Sequence, residues 1–148
     1  MRPERVSIYR RDRVGEPWEF VRSRYDSTLR NFLQEVPQLG EYALMRDDAP
    51  PIVEPIAPAR KPDAGPYSRW TLGARVRDAG SGIEGRETAF RIDGVPVPSE
   101  YDSEEGMLRW RPLRPPIAGR HSYEVVVTDR AGLRTVKRGS FVLDSVKR

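Results

Sequence analysis

The chain contains no cysteine, so disulfide scaffolds, thiol catalysis and cysteine zinc sites are excluded. Histidine occurs once, at His121. A single imidazole excludes a multi-histidine metal site, and any serine–histidine catalysis would have to be built on it. Lysine is scarce: Lys61, Lys137 and Lys147 stand among 26 basic residues, and the others are arginine. No apolar run approaches the roughly 18 residues of a membrane span. The first thirty residues also lack the apolar core of a signal peptide. These absences remove activities without naming one.

What is present is a polar chain of 148 residues, 37% hydrophobic and 32% charged, with room for one ordinary domain or two small ones. Its net charge of +4 is unevenly placed. Residues 1–51 carry nine basic and nine acidic groups, so the excess lies downstream. Arginine in such proportion reads first as compositional bias on a solvated surface, and second as an anion-binding patch. Six of the 14 prolines fall between Pro50 and Pro66. Proline lacks a donor and restricts its predecessor, so a boundary is expected near residue 50. The expected organisation is a β-rich segment over 1–50, a Pro-rich linker or edge strand over 51–66, and a β-sandwich over 67–148. A short edge strand is expected at Ile52–Ile56.

Downstream of that boundary, period-two patterns dominate. Trp70, Leu72, Ala74 and Val76 alternate with arginine, threonine and glycine. Thr88, Phe90 and Ile92 repeat the pattern, as do Leu108 with Trp110, and Tyr123, Val125 and Val127. Asp93-Gly94, between Ile92 and Val95, is a strong hairpin signal. The last strand falls within Leu133–Leu143, with Phe141 and Leu143 buried. Short strands at such intervals, joined by Gly, Asp and Pro turns, indicate an all-β chain ending in a β-sandwich. The first fifty residues also look extended. Val6 and Ile8 share one face, and Ser7 and Tyr9 the other. Trp18 to Val21 and Tyr42 to Met45 supply two more strands. Ser27–Val36 fits a strand or a short helix capped by Ser27, and the strand is preferred. So few strands rarely make a core of their own. The segment is therefore the end of a preceding β-domain, or it docks on the sandwich or on a partner chain.

The ordered set Val76-Arg77-Asp78-Ala79-Gly80-Ser81-Gly82-Ile83, Ile92-Asp93-Gly94-Val95, Leu108-Arg109-Trp110, Gly119-Arg120-His121, Thr128-Asp129-Arg130-Ala131-Gly132 and Ser140-Phe141-Val142 covers about half the chain. In that order it resembles bacterial immunoglobulin-like modules of cell-envelope and secreted proteins. Leu133 departs from the asparagine usual after the Asp-x-Ala-Gly turn. The leading part, with Val6-Ser7-Ile8-Tyr9, Glu16-Pro17-Trp18-Glu19-Phe20-Val21 and Gly40-Glu41-Tyr42-Ala43-Leu44, resembles what precedes such modules at the carboxyl end of longer chains. Some of these are relatives of lysostaphin-type metallopeptidases. The resemblance implies an accessory region and not the catalytic domain, whose zinc site needs several histidines. It also implies an envelope or secreted location, if the chain is a fragment of a longer exported protein.

Candidate sites are few. Asp78, Asp102 and Asp129 raise calcium, with Asp78 and Asp129 the better pair because their loops can share one end of a sandwich. Satisfying turn backbones is the plainer role for all three. His121 opens a strand and reads as structural. Ser122 beside it points to the opposite face, so the two are not a nucleophile and its base. Glu104-Glu105 reads as a solvated turn. Trp70 and Trp110 are in phase with the core, leaving Trp18 as the aromatic available for binding. Arg69, Arg75, Arg77, Arg91, Arg109 and Arg111 alternate outward. They are either solvated strand faces or a basic face for an anionic polymer. No nucleic-acid motif or phosphate loop accompanies them, so nucleic acid is not expected as a partner. The expectation is a non-enzymatic accessory, spacer or binding module with no cofactor. Its partner is a protein or a cell-wall polymer, and the alternative is an assembly subunit pairing through the N-terminal β segment.

Overall fold

A computed structural model describes residues 3–36, 38–60, 70–114 and 116–143. All regular elements among them are strands, apart from a single 3₁₀ turn at Gly85–Glu87. The end of the Pro-rich stretch, residues 61–66, and Arg69 lie outside the described residues.

The first unit is a three-stranded antiparallel sheet. β1 (Val6–Arg11) lies between β2 (Glu19–Val21) and β5 (Glu41–Arg46). A separate hairpin, β3 (Arg24–Asp26) and β4 (Asn31–Leu33), fills the connection. Neither the strand nor the helix expected over Ser27–Val36 forms as a whole. Residues 27–30 make the turn, because the Asp26 carboxylate accepts from the Thr28 and Leu29 amides at 2.8 and 3.0 Å. Arg30 closes that turn with φ +55°.

The second unit is a sandwich of two four-stranded antiparallel sheets. One contains β6 (Ile52–Arg60), β7 (Trp70–Arg77), β10 (Glu100–Asp102) and β11 (Met107–Trp110), in the order β10-β11-β7-β6. The other contains β8 (Ala89–Ile92), β9 (Val95–Val97), β12 (Gly119–Thr128) and β13 (Arg134–Leu143), in the order β13-β12-β8-β9. Lettered from β6, the sheets run D-E-B-A and C′-C-F-G, the strand arrangement of an immunoglobulin-type sandwich. β6 runs to Arg60, beyond the expected Ile56, and sits at a sheet edge. Pro55 and Pro58 are tolerated there because an edge strand has one unpaired side, and the register shifts between Ile56 and Ala59. The Asp93-Gly94 hairpin forms as its sequence requires, with φ +50° and +80° at the two turn residues.

Alternation decides what is buried. Leu72, Ala74, Val76, Phe90, Ile92, Leu108, Trp110, Val125, Val127, Phe141 and Leu143 form one core between the sheets, with Trp70 packed against it. Leu108 on β11 is wholly inaccessible. Truncating Leu108 to alanine is expected to cost about 3 kcal/mol, within roughly 2–5 kcal/mol for buried leucines. Denaturant unfolding measures this, and a loss under about 1 kcal/mol would contradict Leu108 as a packed core residue.

Candidate functional site: an acidic joint between two sheets

The N-terminal sheet docks on the sandwich through the Ser7–Tyr9 face of β1. Ser7 and Tyr9, and not Val6 and Ile8, are the fully buried residues of β1. Tyr9 opposes Phe20 across the sheet, and their rings meet edge to face at 5.7 Å. The Arg130 guanidinium of the sandwich lies 5.9 Å from the Phe20 ring centroid. Arg22 pairs with Glu84 across the same joint, and the Thr135 hydroxyl donates to the Pro51 carbonyl at 2.6 Å.

Three aspartates meet there. Asp47 follows β5, Asp78 follows β7 and Asp129 follows β12. Each offers a carboxylate oxygen, and these oxygens all lie within 4.8 Å of one another. Asp47 is 4% exposed and Asp129 2%. Main-chain amides hold all three. Asp47 Oδ2 accepts from the Ser81 amide at 2.7 Å, and its Oδ1 from Ala49 at 3.2 Å. Asp78 Oδ2 accepts from Gly80 at 3.0 Å and Gly82 at 2.6 Å. Asp129 Oδ1 accepts from Leu133 at 2.8 Å. The buried Ser81 hydroxyl accepts from the Ala131 amide at 3.0 Å, tying the two loops of the sandwich together. Gly80 is required by close approach: a Cβ there would sit 2.3 Å from Asp47 Oδ2.

Among the described residues no ion pair reaches any of these aspartates. Asp78 Oδ1 and Asp129 Oδ2 are buried without a hydrogen-bond partner. Burial pushes the carboxyls of Asp78 and Asp129 above the ordinary aspartate range. The backbone donors oppose that rise, and the facing aspartates add to it. The Tyr9 phenol is pushed up to about 12, by burial first and then by Asp47, Asp78 and Asp129. Two bare carboxylates at such separation repel by on the order of 3 kcal/mol per pair at an effective dielectric constant near 20. Chemically, the joint holds an oxygen-rich, electronegative cluster suited to a cation or to retained protons, and not to a nucleophile.

Of the calcium candidates, Asp78 and Asp129 thus come together, and Asp47 completes the group. Asp102 does not join them. It caps the β10–β11 turn at the Glu104 and Glu105 amides, and lies 3.7 Å from Arg109. Asp47 carried a signal, standing in Asp47-Asp48-Ala49-Pro50-Pro51, but only the docking of one sheet on the other brings it here.

The other candidates are dispersed. Arg75, Arg77 and Arg109 lie on the β10-β11-β7-β6 sheet, whereas Arg91 lies on β8 of the opposite sheet. Arg77 pairs with Glu54 at 2.7 Å, and Arg109 with Glu105. Trp18 precedes β2 on the N-terminal unit, its ring covered by the Arg11 guanidinium at 4.5 Å. The five residues therefore do not share one surface. No protein-family model matches the chain, and no match is found among curated proteins.

His121 braces the β8–β9 turn. Its Nδ1 lies 2.7 Å from Asp93 Oδ2, and its Nε2 lies 2.7 Å from the Ile117 carbonyl. Both partners are acceptors, so both ring nitrogens donate only in the imidazolium form. The Ile117 carbonyl first, and Asp93 second, raise the His121 pKa above 6.5. The His121 bond chiefly lowers that of Asp93. The stability His121 contributes is therefore complete below pH 6.5 and lost as pH rises through its raised pKa. An NMR titration of the imidazole is expected to give a midpoint above 6.5, moved downward by Asp93→Asn. A wild-type midpoint at or below 6.5 would contradict this geometry.

Proposed function

We propose that this chain is a non-catalytic accessory module, acting as spacer or binding element, of a bacterial envelope or secreted protein. The observation that carries the reading is the joint. The N-terminal sheet is held on the end of the sandwich by the buried Asp47–Ser81 hydrogen bond, the Arg22–Glu84 pair and the aromatic contact. Such a joint fixes the direction between two β units, which a spacer requires. A sandwich also presents rigid faces and loops without buried chemistry. The ordered resemblance over Trp70–Leu143 supports the envelope setting.

A second reading, a subunit of a larger assembly, is favoured by one feature. The outward face of the N-terminal sheet and its hairpin form an open apolar groove lined by Ile8, Phe32, Leu33, Val36 and Leu44. Light scattering and co-sedimentation with cell-wall sacculi, at low and high salt, separate the readings. The module reading expects a monomer. Salt-resistant sedimentation, weakened by Trp18→Ala, makes it a binding element, and sedimentation that is absent or abolished by salt makes it a spacer. A stable oligomer would overturn the module reading in favour of assembly. A hydrolytic activity lost in His121→Ala would overturn the non-catalytic assignment.

A further inference from the structure

We propose that Asp47, Asp78 and Asp129 form a calcium site that locks the N-terminal sheet to the sandwich. Two independent observations point to this site. The first is convergence: three carboxylates from three strand ends, far apart in sequence, place oxygens within 4.8 Å of one another. Calcium–oxygen distances of about 2.3–2.6 Å put ligands on opposite sides of one ion at roughly that spacing. Magnesium demands near-ideal octahedral geometry and usually keeps several waters, so a buried group of three protein carboxylates suits it less than calcium. The donors are all hard oxygens, which disfavours zinc.

The second is the state of the remaining oxygens. Asp129 is 2% exposed, yet its Oδ2 has no hydrogen-bond partner among the described residues, and Asp78 Oδ1 is in the same condition. Buried carboxylate oxygens are costly to leave unmatched. Main-chain amides already fix the orientation of each aspartate, as outer-shell partners do around a metal. Asp78 Oδ1 and Asp129 Oδ2 are left for a cation, and Asp47 would join through the second lone pair of an oxygen that already accepts from an amide. Because Asp47 belongs to one unit and Asp78 and Asp129 to the other, an ion here bridges the joint. The site stands whether or not the module binds cell wall.

The test is calorimetric titration of calcium into the full chain after EDTA treatment, with thermal melting alongside. One saturable calcium per chain is expected, with a dissociation constant at or below about 1 mM, as in extracellular modules. Calcium should raise the melting temperature. Asp129→Asn, whose amide oxygen can still accept from Leu133, should weaken binding at least tenfold and remove the thermal shift. Should that variant fail to fold, Asp78→Asn at a less buried position carries the same comparison. Glu104→Gln, an exposed turn residue, should bind as wild type does. The proposal is overturned by no saturable binding at 10 mM calcium (about ten times the weakest expected constant), by unchanged affinity in the aspartate variants, or by equal or tighter binding of magnesium.

Discussion

A carboxylate buried between two sheets must find donors, and Asp47 finds its principal one in another part of the protein. The Ser81 amide that it accepts from belongs to the loop after β7, 34 residues along the chain. That loop approaches closely because Gly80 has no side chain. Ser81 then reaches the turn after β12 through its hydroxyl. Three segments are thus held by a few hydrogen bonds whose donors are almost all main-chain amides. Main-chain donors sit on fixed strands and turns, so they position the carboxylates more firmly than flexible side chains would. The N-terminal sheet depends on this arrangement, because three short strands and a hairpin bury too little to stand alone.

The same arrangement concentrates negative charge. Asp47, Asp78 and Asp129 bring acceptors to one place with no ion pair to an arginine among the described residues, in a chain that has more arginine than any other charged residue. Elsewhere the arginines find acidic partners: Arg77 with Glu54, Arg109 with Glu105, Arg138 with Glu124. Those pairs are partly or largely exposed and contribute little to stability. The acidic joint is different in kind, because its charge is withdrawn from water and repels itself. Together with the covered rings of Tyr9 and Phe20, it makes the joint the most specialised region described in the molecule.

Much of the sandwich was legible in the sequence. Period-two alternation from Trp70 to Val76 and from Tyr123 to Val127 marked the core face, and Asp93-Gly94 marked a tight hairpin. Both signals are local, and local geometry enforces them. The N-terminal half was less legible where long-range contact overrides local preference. Val6 and Ile8 are the more apolar residues of β1, yet the Ser7–Tyr9 face is buried because it meets the sandwich. Ser27–Arg30 reads as regular structure until Asp26 caps the turn. Two of the three joint aspartates were visible as turn residues facing one end of a sandwich. The third was not, since only the docking of β5 brings Asp47 to them. The outward arginines alternate as expected, but alternation does not reveal that Arg91 lies on the opposite sheet from Arg75, Arg77 and Arg109.

Native-state hydrogen exchange of the full chain, compared with Gly80→Ala, tests most directly whether the two β units are one. In the wild type, amides paired between β1 and β5 should open with the same free energy as those of Val125 and Val127 on β12. The added methyl, which would sit 2.3 Å from Asp47 Oδ2, should lower protection of β1 and β5 while β12 keeps its own. A wild type in which β1 and β5 exchange independently of β12, or a variant in which their protection is unchanged, would contradict the account of the joint.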